Sequence, residues 1–250
     1  MELSRFFSEN PAVAVAFSGG VDSAYLLYSA VRSGARVRAY YVKTPFQPRF
    51  ELEDATQLAK ELDVPIKVLE FDVLAVPEVA ENPFNRCYYC KRALFSRILE
   101  AAREDGFSVI LDGTNASDDA ADRPGMGALR ELSVRSPLRE AGLTKTEIRR
   151  LSREAGLFTW DKPAYACLAT RIPAGTPIAR EMLLKTERAE NYLTELGFRD
   201  FRVRLMGDAA KIQVTAAQLP MAAEKAAQIV SALKKDYSAV LLDLEVRNEQ

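Results

Sequence analysis

Two short motifs hold the residues of this sequence that are best suited to chemistry. Ser18-Gly-Gly-Val-Asp-Ser23 combines hydroxyls, glycines and a carboxylate, and Cys87-Tyr-Tyr-Cys90 is a pair of thiols at C-x-x-C spacing. Glycine N–H groups and hydroxyls can hold phosphate oxygens, whereas thiolates are nucleophiles and metal ligands. Cys167 is the third cysteine, and the sequence contains no histidine. Any catalysis must therefore use cysteine, carboxylate, lysine or arginine side chains, or a cofactor.

The first motif connects a strand pattern to a helix pattern. A Val-rich apolar run precedes it, and Leu26, Leu27 and Val31 follow at helical spacing. A strand, a glycine-rich turn and a helix start form an anion site, because the free N–H groups of the helix N-terminus face the anion. The motif lacks both the Gly-Lys-Ser/Thr ending of a Walker P-loop and the spaced glycines of dinucleotide folds. The alternative is an ordinary Ser-Gly turn that only caps the helix.

The Ser18–Ser23 motif resembles the PP-loop of the N-type ATP pyrophosphatases, which cleave ATP between its α and β phosphates. The resemblance implies ATP and Mg²⁺ as cofactors, with hydroxyls and glycine amides holding the leaving pyrophosphate. It implies that Asp22 has a catalytic role and positions the phosphates and the magnesium ion. The implied nucleotide-binding residues are Phe17, Ser18, Gly19, Gly20, Val21, Asp22, Ser23, Val42 and Gly113.

The elements that must position this motif alternate between strand and helix patterns. Apolar runs predict five strands: the run between Pro11 and the glycines of the motif, and then Val37–Val42, Ile66–Phe71, Ser108–Leu111 and Ser133–Ser136. Such alternation indicates an α/β fold, a parallel five-stranded sheet with helices on both faces. Ligands of such sheets bind at the carboxyl ends of the strands, where the PP-loop lies. The resemblance implies the adenine nucleotide alpha hydrolase-like version of this fold.

The pattern changes after residue 160. A proline-containing linker that carries Cys167 leads to helix, strand, strand, helix and strand patterns, at 181–196, 201–205, 210–215, 219–233 and 239–246. We therefore predict a PP-loop domain over residues 1–160. Over residues 161–250 we predict the linker and a small α+β domain for substrate binding or oligomerisation.

The three cysteines offer several kinds of site. On a helix start, Cys87 and Cys90 point the same way, and the helix dipole lowers thiol pKa values. A structural zinc site needs four ligands, and a thioredoxin-type pair would follow the first strand. Three thiolates can hold a 4Fe–4S cluster with one iron left open, provided that Cys167 comes within reach. The alternative is an incidental pair and an inert buried Cys167.

The sequence as a whole resembles the LarE family of ATP-dependent sulfur transferases, which help to build the nickel-pincer cofactor of lactate racemase. The resemblance lies in the PP-loop and in Asp112–Asn115, Arg123–Gly125, Ser136–Leu138, Gly142–Lys145 and Lys162–Pro173. It implies adenylylation of a carboxylate of pyridinium-3,5-biscarboxylic acid mononucleotide, release of pyrophosphate, and replacement of carboxylate oxygen by sulfur.

Within that family the cysteines define two branches. In one branch a single cysteine at the Cys167 position gives up its own sulfur. The presence of Cys87 and Cys90 makes this chain similar to the other branch, in which three cysteines bind a 4Fe–4S cluster that receives external sulfide. The resemblance therefore implies that Cys87, Cys90 and Cys167 are catalytic and ligate the cluster, with sulfide or another sulfur donor as a partner.

Further candidate residues are charged. Arg202 and Arg204 alternate on one predicted strand, so both face one side of the sheet and suit a phosphate of the mononucleotide. The alternative for this pair is the solvated face of a hairpin; the LarE resemblance favours the phosphate site. Asp118 and Asp119 could reach magnesium, although acidic pairs in loops are often only solvated.

Composition limits the class of protein. With 48% hydrophobic and 28% charged residues and a net charge of −1, the 250-residue chain is typical of a globular protein without a basic nucleic-acid surface. We expect a cytoplasmic protein with no membrane or nucleic-acid partner and no structural disulfide. The resemblance implies a homo-oligomer, with a hexamer as one form. Rival hypotheses are a tRNA thiolase with PP-loop and 4Fe–4S cluster, a PP-loop amide-forming ligase, and a non-enzymatic nucleotide sensor.

Overall fold

A computed structural model describes residues 3–118 and 124–247 of the chain. The chain divides into two compact units. The first unit comprises Met1–Val79 and Phe84–Lys162, and the second comprises Ala80–Pro83 and Pro163–Gln250. The roles predicted for domains 1–160 and 161–250 stay predictions.

The first unit is built on a parallel sheet. Its strands are β1 (Ala12–Ala16), β2 (Arg36–Lys43), β3 (Ile66–Glu70) and β4 (Ile110–Leu111). They lie in the order β3-β2-β1-β4, and every neighbouring pair is parallel. The helices are α1 (Leu3–Glu9), α2 (Val21–Arg32), α3 (Arg49–Glu61), α4 (Pro77–Ala80), α5 (Arg86–Glu104), α6 (Pro124–Glu131), α7 (Pro137–Glu140) and α8 (Lys145–Glu154). The predicted α/β class with a parallel sheet is confirmed.

Helices cover both faces of this sheet. Val13 and Val15 of β1 pack in one core cluster with residues of α1, α2, α3 and α8, whereas Ala14 packs in another with residues of α5 and α6. Because successive side chains of a strand point to opposite faces, the two clusters lie on opposite sides of β1. Burial of apolar area on both faces stabilises the sheet and explains why β1 is apolar at every position.

The predicted fifth strand at Ser133–Ser136 is wrong. Only Arg135 pairs with the sheet, through an isolated parallel bridge to Leu111. Two neighbours limit the extended segment: Ser133 has a positive φ of 55°, and Pro137 starts α7. A proline fixes φ near the helical value and has no N–H for a ladder, so the chain turns away after one bridge. Within residues 3–118 and 124–247 the sheet therefore has four strands.

The second unit combines helices with a mixed three-stranded sheet. Its elements are α9 (Arg180–Glu195), β5 (Arg202–Met206), β6 (Ala209–Gln213), α10 (Leu219–Glu224), α11 (Ala226–Leu233) and β7 (Val240–Leu242). β5 and β6 are antiparallel, and β6 and β7 are parallel. The helix expected over 219–233 is divided at Lys225, and the strand expected over 239–246 is shorter, with a separate bridge between Thr215 and Arg247.

None of the helices within residues 3–118 and 124–247 has the length and apolar character that crossing a bilayer requires.

Asp105, which follows α5, connects the helix to two strands. Its Oδ2 accepts hydrogen bonds from the Tyr40 hydroxyl at 2.8 Å, from Arg38 Nη1 at 2.9 Å and from Lys67 Nζ at 3.1 Å. The Tyr40 hydroxyl, then Arg38 and Lys67, lower the pKa of Asp105 to about 2. Because this folded-state pKa is below the ordinary value of 3.8, the carboxylate stabilises the fold fully above that value. The contribution disappears as the pH falls towards 2.

We predict that Asp105→Asn lowers the free energy of unfolding near neutral pH and that the difference from the parent shrinks below a pH of about 4. Urea unfolding followed by circular dichroism at neutral and acid pH measures both. A difference that stays constant down to a pH of about 2.5 would contradict this assignment.

Candidate functional site

The PP-loop, residues Ser18–Ser23, connects β1 to α2 and is held by its own serines. The hydroxyls of Ser18 and Ser23 are 3.1 Å apart, and the Ser23 hydroxyl donates to the carbonyl of Gly20 at 3.2 Å. Gly20 is the N-cap of α2 and, as a glycine, has no side chain that could cap the helix. The first N–H groups of an α-helix have no partner within the helix. The start of α2 therefore offers donors to an anion.

Two of the predicted binding glycines are required by their surroundings. Gly19 has a φ of 75°, and a Cβ there would lie 3.1 Å from the backbone nitrogen of Ala55. At Gly113, which follows β4, a Cβ would lie 2.9 Å from the backbone nitrogen of Ser23. Real Cβ atoms essentially never approach as closely as the contact at Gly113, and at Gly19 the positive φ is one that other residues rarely adopt, so both positions favour glycine. The missing side chain of Gly113 lets the loop after β4 lie against the first turn of α2.

Asp22 of the PP-loop contacts two side chains that are distant in sequence. Its Oδ2 forms an ion pair with Lys145 Nζ at 2.6 Å, and its Oδ1 accepts a hydrogen bond from Asn115 Nδ2 at 3.3 Å. Lys145 is the first residue of α8, where Thr144 and Glu147 form a capping box. The sequence shows the capping box, which fixes the position of Lys145. No local pattern indicates that Lys145 pairs with Asp22.

The polar loop that follows β4 is ordered by its own side chains. Asp112 is buried and accepts hydrogen bonds from the hydroxyls of Thr114 and, at 2.6 Å, Ser136. The backbone N–H of Asn115 donates to Asp118 Oδ2 at 3.0 Å. Asp118, one of the predicted magnesium ligands, thus lies in the same loop as the amide that contacts Asp22. The other, Asp119, lies outside the described residues.

A cavity of about 380 Å³ opens beside the PP-loop. Its apolar wall includes Phe17, Val42, Leu94, Phe95 and Ile98, and its polar wall includes Ser18, Asp22, Ser23, Lys91 and Asp118. Gly20 and Gly113 also line it, whereas Gly19 and Val21 do not. Cavities of this size hold small ligands, and the lining combines an apolar wall with hydroxyl, ammonium and carboxylate groups that can contact a polar part of the ligand.

Tyr41 adds an unusual group to the cavity lining. Its hydroxyl is buried and finds no hydrogen-bond partner among the described residues. Burial raises the pKa of this hydroxyl, with smaller contributions from the charges of Glu51 and Asp54. Because a buried polar group without a partner costs free energy, the hydroxyl is suited to contact a polar atom of a bound ligand. The sequence pattern places Tyr41 in a strand and gives no sign that its hydroxyl lines a cavity.

The cysteines are divided between the two units. Cys87 and Cys90 lie one turn apart at the start of α5 in the first unit, where Cys87 is exposed and Cys90 is half-buried. Cys167 is half-buried in the second unit, just before a short 3₁₀ helix over Leu168–Arg171. Across the described parts of either unit, no group of three or more Cys, Asp or Glu side chains could hold a metal ion. The three-cysteine site stays a prediction.

Arg202 and Arg204 of β5 contact the chain on either side of Cys167. We call residues 164–171 the Cys167 segment. Arg202 donates to the carbonyl of Ala164, and Arg204 Nη1 donates to that of Thr170 at 3.1 Å. Arg202 is buried, so a solvated hairpin face does not describe it. Burial, and then the charges of Arg171 and Arg247, lower the pKa of Arg202 to about 10.

Comparisons with known proteins support the phosphate-loop interpretation. The family described as queuosine biosynthesis protein QueC matches residues 12–81, which include the PP-loop. An uncharacterized protein of Synechocystis sp. is 37% identical over 220 residues, which cover 87% of this chain and 81% of that protein.

Two relatives have named activities. Pyridinium-3,5-bisthiocarboxylic acid mononucleotide synthase of Lactiplantibacillus plantarum is 34% identical over 209 residues, covering 83% of this chain and 76% of the synthase. tRNA-specific 2-thiouridylase MnmA of Thermotoga maritima is 27% identical over 193 residues, covering 60% of this chain and 54% of that enzyme.

The close approach at Gly113 leads to a paired prediction. We expect Gly113→Ala to destabilise the fold by about 1–3 kcal/mol, because the added Cβ forces the first turn of α2 to move. As a control, Gly127→Ala in α6 places its Cβ 3.6 Å from the Tyr88 ring, an ordinary contact. We expect this control to be neutral or to stabilise by about 0.5–1 kcal/mol, since alanine favours helix. Urea unfolding measures both, and equal stabilities would contradict the prediction.

Proposed function

The chain belongs to the LarE family of ATP-using sulfur transferases, and we propose that it converts a carboxylate of pyridinium-3,5-biscarboxylic acid mononucleotide into a thiocarboxylate. The observation that carries this proposal is the 34% identity to pyridinium-3,5-bisthiocarboxylic acid mononucleotide synthase over 83% of the chain. The PP-loop and the cavity beside it supply a place for ATP.

The first half of the proposed reaction activates the carboxylate. A carboxylate is a poor electrophile, because its charge repels nucleophiles and oxide is a bad leaving group. One carboxylate oxygen attacks the α-phosphorus of ATP, the bond to the β-phosphate oxygen breaks, and pyrophosphate leaves. The product is a mixed anhydride of the carboxyl group and AMP. A sulfur nucleophile then attacks the carbonyl carbon, and AMP departs with the original oxygen. Because sulfide and thiolate are already largely ionised, this attack needs no histidine base.

The residues around the cavity suit this step. The apolar wall formed by Phe17, Val42 and its neighbours can contact adenine, while the PP-loop N–H groups and the serine hydroxyls hold the phosphates. Asp22 and Asp118 both line the polar wall, and carboxylate oxygens are the ligands that Mg²⁺ prefers. When bound, the ion would screen the charge of the phosphate chain.

Lys145 is a further residue that we assign to phosphate binding. Its ammonium group lies 2.6 Å from Asp22 Oδ2, at the loop where pyrophosphate would leave. Negative charge grows on the leaving group as the bond to the α-phosphorus breaks, and a fixed cation at that point stabilises the transition state.

The cysteines would serve the second half of the proposed reaction, the transfer of sulfur to the activated carboxyl group. Cys87 and Cys90 suit two cluster ligands, because their positions one turn apart on α5 put both thiols on one helix face. We propose Cys167 as the third ligand of a 4Fe–4S cluster, and Arg202 and Arg204 as contacts for the substrate phosphate. Such a cluster would supply an iron with an open position for external sulfide. If Cys167 acts alone, it is the sulfur source itself.

A second candidate function, thiolation of tRNA, is favoured by the similarity to tRNA-specific 2-thiouridylase MnmA. The chain spans about half the length of that relative. The net charge of −1 disfavours this candidate, because tRNA binding usually requires a basic surface. Salt-dependent tRNA binding with a micromolar or lower dissociation constant would support it.

We also propose a homo-oligomer that works in the cytoplasm. Apolar side chains in and after the edge strand β7 support the oligomer, since Leu241 is 40% exposed and Leu244 is 83% exposed. Exposed apolar residues next to unpaired strand edges are typical of surfaces that other chains cover.

Lys145→Met tests the phosphate-binding assignment. We predict that pyrophosphate release falls about 100-fold with a smaller change in the KM for ATP, because the lost charge acts mainly in the transition state. Arg150→Met is the control, since Arg150 lies on the same helix and pairs with the exposed Glu154. An assay of pyrophosphate measures both variants, and a parental rate in Lys145→Met would contradict the assignment.

The cysteines give the test of the function itself. With ATP, Mg²⁺, the biscarboxylate mononucleotide and sulfide under anaerobic conditions, we predict AMP, pyrophosphate and thiocarboxylate, identified by mass spectrometry. Cys167→Ala should still release pyrophosphate but form no thiocarboxylate. Cys87→Ala/Cys90→Ala should lose bound iron and repeated turnover.

The outcomes separate the alternatives. Formation of ADP and phosphate, or no thiocarboxylate from the parent protein, would refute the function. Repeated turnover at the parental rate in Cys87→Ala/Cys90→Ala would refute the cluster. A single thiocarboxylate per protein molecule, in both the parent and this double variant, would also refute it and leave Cys167 as the sulfur source.

A further inference from the structure

The second unit contains a buried ion pair next to Cys167. Arg171 is the last residue of the Cys167 segment and is 1% exposed, and Glu190 of α9 is 4% exposed. Arg171 Nε donates to Glu190 Oε1 at 2.8 Å, and Nη2 donates to Oε2 at 3.0 Å. This two-bond geometry fixes the plane of the guanidinium group.

The other side of the same guanidinium group holds the backbone of the Cys167 segment. Arg171 Nη1 donates to the carbonyls of Ala166 at 2.9 Å and Cys167 at 3.4 Å, and to the Thr170 hydroxyl at 2.8 Å. The Thr170 hydroxyl and backbone N–H both donate to the Cys167 carbonyl, at 2.8 and 3.0 Å. The peptide group of Cys167 is therefore held from three directions, which limits where its Cβ can point.

Glu190 joins this network to the sheet. Its Oε2 accepts a hydrogen bond of 2.5 Å from the Tyr165 hydroxyl, and its Oε1 accepts one of 2.9 Å from the backbone N–H of Val203 in β5. The Arg171 guanidinium also lies over the Tyr165 ring, 4.7 Å from its centre. One carboxylate thus connects both ends of the Cys167 segment to β5.

Stability alone does not explain this arrangement. Apolar residues of similar volume usually stabilise a buried position as well as an ion pair does, because burying charges costs desolvation free energy. A buried pair does, however, fix geometry through directed hydrogen bonds. Here the fixed element is the backbone of a cysteine assigned to sulfur transfer.

We propose that Arg171 and Glu190 are positioning residues that fix Cys167 for the sulfur-transfer half of the reaction. This inference rests on the proposed function. Sulfur must reach the carbonyl carbon of the activated substrate within a narrow range of distance and angle, and a displacement of about 1 Å can lower the rate about 100-fold. The residues assigned to ATP activation lie in the first unit, and none belongs to this network.

The test compares three variants with a control. Arg171→Lys keeps the charge but loses the two-bond geometry, Glu190→Gln keeps the shape but loses the charge, and Tyr165→Phe removes one hydroxyl. The control is Arg188→Gln, because Arg188 lies on the same helix and makes a similar but exposed two-bond pair with Asp236.

We expect the thiocarboxylate formed per pyrophosphate to fall about 30- to 100-fold in Arg171→Lys and Glu190→Gln, and about 3- to 10-fold in Tyr165→Phe. Pyrophosphate release and the KM values for ATP and mononucleotide should stay within about threefold of the parent. The control should match the parent in every measurement. A merely structural role would lower both products together, whereas the proposal predicts that thiocarboxylate falls while pyrophosphate release stays close to that of the parent.

Hydrogen–deuterium exchange of the protein without substrates gives a readout that is independent of activity. Amides of residues 164–171 should exchange at least about tenfold faster in Arg171→Lys and Glu190→Gln, with the PP-loop unchanged.

Three results would overturn the proposal. The first is the parental ratio of thiocarboxylate to pyrophosphate in all three variants. The second is pyrophosphate release that falls in parallel with thiocarboxylate, and the third is an unchanged rate of amide exchange at residues 164–171. If the parent protein makes no thiocarboxylate, the proposed function fails, and the exchange experiment still decides whether the pair fixes the Cys167 segment.

Discussion

The approach of the loop after β4 to the first turn of α2 is the constraint on which the first unit depends. A side chain at Gly113 would lie 2.9 Å from the backbone nitrogen of Ser23, so only glycine allows the two segments to lie together. Their contact brings Asn115 beside Asp22, and the turn into α8 places Lys145 on the other oxygen of the same carboxylate. A charged site thereby forms at the carboxyl end of the apolar strand β1, at the edge of the sheet where parallel α/β folds bind their ligands.

The second unit uses charge differently. Three arginines, Arg171, Arg202 and Arg204, donate to backbone carbonyls of the Cys167 segment. Burial and the neighbouring guanidinium groups lower the pKa of Arg202, because several like charges are held close together there. The guanidinium groups of Arg202 and Arg204 would also suit the phosphate of a mononucleotide, so for these two residues the role in holding the segment and the proposed role in binding substrate are compatible. Glu190 offsets part of this charge and sets the direction of Arg171.

Local sequence was sufficient for features that depend on neighbouring residues. Strand β1, the turn at Ser18–Ser23 and the start of α2 follow from one apolar run and its glycines. Where the local pattern was incomplete, the prediction failed: the extended segment before Pro137 makes a single bridge because the proline starts a helix. Contacts between distant positions were not predictable. The pair of Asp22 and Lys145 spans 123 positions, and only tertiary packing determines such partners.

The central claim is that one carboxylate oxygen of the substrate is first bonded to AMP and then replaced by sulfur. Substrate labelled with oxygen-18 in its carboxylates tests this most directly, with mass spectrometry of the AMP and pyrophosphate released. The account predicts one labelled oxygen in AMP for each thiocarboxylate formed, and none in pyrophosphate. Unlabelled AMP beside labelled pyrophosphate, or ADP beside labelled phosphate, would mean that ATP is attacked at another phosphorus, and the account would be wrong.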